Sequence, residues 1–298
     1  MLKLIDSYLN YLRYNRNYSS DTIKSYGDDL KGLYEYVSSE DLDVITFDKQ
    51  DAKNYVASLY IKGLAKKSIV RHISSCRSFY RYLLNEGKVV SNPFNAIKSI
   101  KREKKLPEVL FIEEIDDIIR SMEIKDEYSI RNYAIFMLLY SSGVRVSEIA
   151  KLKVNEMDFE NGKFIVHGKG NKQRIAFFDE STCRVIRRYI AEFREKYKSD
   201  NDYLFIGRRG EGLTTGSYRR IVKEVGREYA STKGIHPHML RHSFATHLLD
   251  NGADIRNVQE LLGHESISAT QIYTHVSTSK LKQEYMNYHP FSKKKKEN

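Results

Sequence analysis

Apolar residues return every three or four positions through most of the first hundred residues, the period of a helix with one buried face. Leu2 to Arg13 opens the series, and Ile23, Tyr26, Leu30, Leu33 and Val37 continue it behind the capping hydroxyls Ser19 and Ser20. A third helix is predicted from about Asp48 to Ile61, stopped by Gly63. A fourth carries the stripe Ile69, Ile73, Cys76, Phe79 and Leu83. Together they predict a four-helix N-terminal domain over residues 1–97, closed by Asn92-Pro93.

The pattern then breaks. KSIKREKKLP, Lys98 to Pro107, has few apolar residues and five cations, and reads as a linker over 98–107. Beyond it, Tyr128 to Tyr140 predicts a buried helix ending near Gly143. Period-two alternation follows around Asn161-Gly162 in EMDFENGKFIVHGKGNKQRIAFF, the signature of a small antiparallel meander. Helical periodicity resumes at Asp179–Lys196, Thr215–Tyr229, Pro237–Leu249, Asp254–Leu262 and Thr278–Tyr288. The expected fold class is therefore mainly α, with a second, mostly helical domain over 108–290 holding one small antiparallel sheet, and a basic tail at 291–298.

Composition changes this picture in two ways. The chain has 298 residues, more than one core usually organises, and no run approaches the roughly twenty apolar residues of a membrane span. The opening MLKLIDSYLN lacks the pattern of a secretory signal, and the two cysteines, Cys76 and Cys183, stand far apart, so a cytoplasmic, reduced protein is expected. The net charge of +11 is unevenly spread: residues 62–105 carry 12 basic and 2 acidic side chains, whereas residues 1–61 carry 7 and 10. Lys66, Lys67, Arg71, Arg77 and Arg81 flank the apolar stripe of the fourth helix, which makes them candidates for contact with DNA phosphates. A solvated basic face is the alternative reading.

Candidate chemistry lies in five fragments: SGVRVSEIAKL with Arg145, HGKGNKQR with Lys169, HPHMLRHSFATH with His238, Arg241 and His242, LLGHES with His264, and TQIYTHV with Tyr273. Taken singly, each has an ordinary explanation. Arg145 can pair with Glu148, Lys169 can decorate a glycine turn, and Tyr273 is one of 22 tyrosines. Gly162 and Gly168-Lys169 superficially suggest a phosphate-binding loop, but the spacing is one residue too long and Gly170 replaces the required Ser or Thr. His238 and His242, four apart on a helix, could chelate a metal; the neighbouring Arg241 and the missing HExxH glutamate count against it. Taken together, two arginines, a lysine, two histidines and a tyrosine form a set suited to metal-free attack on a phosphodiester.

In order and spacing, Arg, Lys, His-x-x-Arg, His and Tyr resemble the signature of the tyrosine recombinases, the phage integrase family, and the agreement with the Xer subgroup covers nearly the whole chain. The resemblance implies roles by position: Arg145 and Arg241 as a phosphate clamp, Lys169 as general acid, His238 and His264 as supporting residues, and Tyr273 as nucleophile. Glu148 matches the acidic residue that typically follows the first arginine. Also implied are a C-shaped clamp around duplex DNA, a homotetramer or a heterotetramer with a paralogue on two dif-like sites, and chromosome-dimer resolution with a possible accessory DNA translocase. No cofactor, metal or membrane is implied. An integrase or resolvase of a mobile element shares every one of these residues, a type IB topoisomerase uses similar chemistry, and a non-catalytic architectural DNA-binding protein is a further alternative. The family also donates its last helix to a neighbour, so Thr278–Tyr288, with Leu281, Tyr285 and Tyr288 on one face, is expected in a neighbour's groove or else in its own domain's.

The chemistry demands such a set. A phenol with a pKa of about 10 is ionised in only about one molecule per thousand at pH 7, a deficit of roughly 4 kcal/mol for attack. Fixed guanidiniums offset this by stabilising charge gained in the transition state, and a lysine can protonate the departing 5′ oxygen. Exchange of one phosphodiester for another needs no ATP.

Overall fold

The computed structural model describes residues 1–98, 108–168, 173–197, 201–229, 234–263 and 278–293. The chain divides into two compact units, Met1–Lys105 and Leu106–Asn298.

The first unit contains α1 (Leu2–Tyr14), α2 (Ser20–Ser39), α3 (Lys49–Ile61) and α4 (Lys66–Asn85). Caps fix the helix starts: Ser19 Oγ accepts from the Thr22 amide, and Asp48 accepts from the amides of Gln50 and Asp51 while Asp51 returns a carboxylate to the Asp48 amide. The core is unusually aromatic, with Tyr8, Tyr55, Phe79, Tyr80 and Phe94 all inaccessible. Phe94 sits on the 3₁₀ turn Pro93–Ala96 and stacks on Phe47, so the residues after α4 plug the bundle. Burying a tyrosine is least costly when its hydroxyl finds a partner, and Tyr80 donates to the Val44 carbonyl at 3.1 Å. One carboxylate is buried with them. Asp29 lies 3.0 Å from Arg71, 3.1 Å from His72 and 3.0 Å from the Ser75 hydroxyl, and His72 meets Tyr55 through its other ring nitrogen at 3.1 Å.

The second unit runs α5 (Ile112–Ser121), α6 (Glu127–Ser142), α7 (Val146–Ile149), β1 (Met157–Asp158), β2 (Lys163–His167), β3 (Gln173–Phe177), α8 (Glu180–Tyr189), α9 (Thr215–Tyr229), α10 (Pro237–Asp250), α11 (Ile255–Leu262), α12 (Thr278–Tyr288) and α13 (Pro290–Lys293). Every residue of α6 from Ala134 to Ser142 is buried, which makes it the central helix, packed by α8, α9 and α10. Its apolar residues face all directions for that reason. The antiparallel meander has the order β1-β2-β3, with Phe164 opposite Ala176 and Val166 opposite Arg174. The predicted helix over Asp179–Lys196 is α8 followed by a π turn at Ile190–Arg194. Helix α5, with Ile115 and Ile118 inward, was not foreseen from the sequence pattern.

Helix α12 sits in a groove of its own unit in this single chain. Leu281 and Tyr285 are buried with Phe177, Phe244, Leu248 and Leu261, and Asn251 donates to the Tyr288 carbonyl at 2.7 Å. Next to them His289 is wholly buried between Tyr140, Phe244, Tyr285 and Phe291.

Candidate active site

Helix α6 ends at Gly143 in the left-handed region, at φ +60°. A side chain there would be strained, and a Cβ would come within 2.4 Å of the Phe244 ring. This sharp stop lets the chain turn at once into α7, with Arg145 at its N-cap. The Glu148 carboxylate reaches back to accept from the Arg145 amide at 2.7 Å and from its Nη1 at 3.1 Å. Glu148 is 5% exposed and Arg145 is 40% exposed, so the pair is anchored at its acidic end and open at its basic end.

Arg241 enters from α10. The start of that helix is set by His236, whose Nδ1 accepts from the Met239 amide at 3.1 Å, and by Pro237 in the first turn. One turn on, Arg241 donates to the Gly143 and Leu262 carbonyls, both at 2.6 Å. Those contacts use one hydrogen on each terminal nitrogen and leave donors of the guanidinium over. Burial, and then the nearby Arg145, pull Arg241 down to about 9. It stays charged at neutral pH, but it is a buried cation with more positive than negative company, the condition under which an anion is bound strongly.

Helix α11 closes the site from the other side. Its last carbonyls meet three arginines in succession: Leu261 accepts from Arg174 Nε at 3.2 Å, Leu262 from Arg241 at 2.6 Å, and Gly263 from Arg145 Nη2 at a long 3.4 Å. The carboxyl end of a helix carries partial negative charge, so it is a natural seat for cations. His264 is the next residue in the sequence.

Of the six residues singled out for catalysis, Arg145 and Arg241 come together here through Gly143, Glu148 and α11. His238 lies exposed on the first turn of α10, where burial of part of its ring and then repulsion from the neighbouring imidazoles and guanidiniums of His236, His242, Arg241 and Arg219 lower its pKa. His242 is also exposed. Lys169, His264 and Tyr273 lie outside the described residues. Arg174, which the sequence pattern presents only as a residue of the meander, contacts Glu148 at 3.1 Å as well as the Leu261 carbonyl.

The basic helix α4 divides its cations between two tasks. Lys66, Lys67 and Arg81 are exposed. Arg71 pairs with Asp29 and donates to the Ser25 carbonyl at 3.0 Å. Arg77 is half-buried and spends its fork on the carbonyls of Phe94 and Ile97, at 3.1 and 3.0 Å. The last of these holds down the turn that plugs the bundle.

Two family models match the chain, the phage integrase family over residues 108–280 and the phage integrase N-terminal SAM-like domain over residues 5–87. The chain is 40% identical over 294 residues to the tyrosine recombinase XerC of Staphylococcus epidermidis, covering 99% of each chain. It is 38% identical over 292 residues to XerC of Staphylococcus aureus, covering 98% of each. Among solved structures it resembles the XerH site-specific recombinase bound to its palindromic difH substrate in a post-cleavage complex, with a TM-score of 0.71 and 26% identity over 90% of this chain and 80% of that one. It also resembles the XerA recombinase, with a TM-score of 0.51 and 29% identity over 97% and 98% of the two chains. With two family matches that together cover most of the chain, full-length relatives, and Arg145 and Arg241 brought together around the end of α11, the chain belongs to the phage integrase family and is a Xer-type tyrosine recombinase, a site-specific DNA recombinase.

Proposed function

We propose that this recombinase resolves chromosome dimers in the cytoplasm, acting as a tetramer on two copies of a dif-like site and cutting each strand with Tyr273. Arg145 and Arg241 bind the non-bridging oxygens of the scissile phosphate. The Tyr273 hydroxyl gives up its proton to solvent as its oxygen attacks phosphorus and forms a 3′-phosphotyrosine, while the bond to the 5′ oxygen breaks and that oxygen takes a proton from Lys169. His238 and His264 hold the phosphate and the phenol in line. A 5′-hydroxyl from the partner duplex then reverses the same steps, and the bond energy is conserved throughout.

The observation that carries this reading is the seating of Arg145 and Arg241 around the end of α11, one residue before His264, with guanidinium donors still available. Two preorganised cations at a developing dianion are each worth several kcal/mol in a site shielded from water. The dif-like target is supported by the likeness to XerH, a recombinase bound to difH in its structure.

The test has two stages. Chromosomal DNA bound to the protein is mapped first, and the bound sequence is then made into a nicked duplex that loses the 5′ fragment on cleavage. The wild type should accumulate a covalent adduct on this duplex, and Tyr273→Phe should bind it equally well and form none. An adduct that persists in Tyr273→Phe contradicts the assignment of the nucleophile. Binding confined to the ends of a mobile element, rather than to one chromosomal locus, contradicts the dimer-resolution role.

A further inference from the structure

Arg174 is a costly residue to place where it is. It sits on β3 opposite Val166, with its side chain 16% exposed, on a strand face otherwise occupied by Phe164 and Ala176. An unpaired cation there would be strongly unfavourable, so its partners are informative. Nε donates to the Leu261 carbonyl at 3.2 Å, and Nη2 donates to Glu148 Oε2 at 3.1 Å. That same carboxylate oxygen accepts from the Arg145 amide, and its other oxygen binds the Arg145 guanidinium. The contact with α11 is close. Gly263 adopts φ +64°, and a Cβ on it would stand 2.9 Å from Arg174 Cδ and 3.0 Å from Nε.

We propose that Arg174 is a positioning residue for the scissile-phosphate clamp, holding Arg145 through Glu148 and Arg241 through the carboxyl end of α11. The inference rests on the assignment of Arg145 and Arg241 as the clamp. Three points of geometry support it. Glu148 is shared, so removal of Arg174 leaves the carboxylate free to swing toward Arg145 and close that guanidinium against itself. Leu261 and Leu262 are consecutive, so a shift of the first carbonyl displaces the second, on which Arg241 is seated. A lysine can satisfy Glu148 or Leu261 but lacks the planar fork that reaches both at once. Arg174 touches no reacting atom in this scheme.

The discriminating experiment compares two substrates of the same sequence. One carries the ordinary scissile phosphodiester, and the other a methylphosphonate in which a methyl group replaces one non-bridging oxygen and removes the negative charge. Single-turnover adduct formation is measured for the wild type, Arg174→Met, Arg174→Lys, Arg145→Ala and Arg241→Ala, with melting temperatures recorded for each. Arg174→Met should lose about 100-fold on the phosphodiester and less than about 10-fold on the methylphosphonate, because the neutral substrate needs the clamp less. Arg174→Lys should fall between it and the wild type. Equal losses on the two substrates would mean that Arg174 merely supports the fold, and unchanged rates would mean that it positions nothing; either overturns the inference. If Arg174→Met fails to fold, the ratio of losses for Arg174→Lys decides in the same way. The alanine variants separate the two layers: if they lose equally on both substrates, the clamp assignment fails, and if they show the charge-selective loss while the Arg174 variants do not, the positioning role alone fails.

Discussion

Arg77 in the first unit and Arg241 in the second each give two guanidinium nitrogens to main-chain carbonyls, but the two are placed for different ends. Arg77 ties the Phe94 and Ile97 carbonyls to α4 and so fastens the turn that completes an aromatic core. Arg241 ties Gly143 to Leu262 and so joins the end of α6 to the end of α11. What separates them is company. Arg241 is buried beside Arg145 and Arg174, with Glu148 offsetting part of the charge, whereas Arg77 lies on a helix whose other cations spread along an exposed face. A guanidinium that bonds carbonyls is structural cement in one setting and, in the proposed phosphate clamp, preorganised for an anion in the other; the variable that differs is the local surplus of positive charge.

The largest effect on that contrast is expected from Glu148→Ala. It leaves Arg174 with an unpaired buried charge and frees Arg145, and the loss should be about 3 kcal/mol, near the low end for a broken buried pair because Arg145 is 40% exposed. Urea unfolding measures it. A loss below about 0.5 kcal/mol, the range of ordinary surface changes, would show that the arginines do not depend on this carboxylate.

A smaller effect concerns pH. Burial lowers His289 to about 4 and also lowers His247, which as a neutral ring donates from Nε2 to the Leu110 carbonyl and accepts from the Tyr140 hydroxyl at Nδ1. Both are favoured neutral when folded and would protonate more readily when unfolded. Their contribution is therefore complete above the unfolded pKa of about 6.5 and is lost as pH falls from there through the folded values. For His289 the loss by pH 4 should be roughly 2–3 kcal/mol. Thermal melts between pH 7 and 4 should fall less steeply for His289→Phe than for the wild type, and parallel curves would place the pH sensitivity elsewhere.

The smallest effect sharpens the contrast within α4 itself. Lys67→Gln with Arg81→Gln should lower the slope of log binding constant against log salt by about 2, if each cation meets one phosphate. Arg77→Gln should leave that slope unchanged and lower the melting temperature instead. A slope that falls for Arg77→Gln would move this residue to the DNA side of the ledger.

Much of this was legible in the chain. Helices α9 and α12 begin and end where periodicity and turn residues placed them, because each has one apolar stripe and clear stops. Arg145 and Arg241 stood out through their motifs, and the meander through Asn161-Gly162. Other features depend on pairings distant in sequence. Arg77 and Arg81 look alike on a helical wheel, and the carbonyls that occupy Arg77 belong to residues 17 and 20 positions away. Arg174 did leave a signal, a cation at an inward position of a strand, but its meaning requires Leu261, 87 residues further on. Helix α5 was missed because its isoleucines alternate with acidic pairs over ten residues, too short a span to stand out against the neighbouring linker.

Whether a local surplus of positive charge, and not carbonyl bonding, marks the arginines proposed to bind the scissile phosphate is tested most directly by measuring the single-turnover cleavage rate of fully bound complexes for Arg241→Ala and Arg77→Ala. Saturating protein removes any difference in affinity from the comparison. Arg241→Ala should cut the bound-state rate by about 100- to 1,000-fold with little change in melting temperature beyond that of a lost hydrogen-bonded group. Arg77→Ala should lower the melting temperature and leave the bound-state rate within about 3-fold of the wild type. A bound-state rate that falls as far for Arg77→Ala as for Arg241→Ala, or that falls for neither, would contradict the claim.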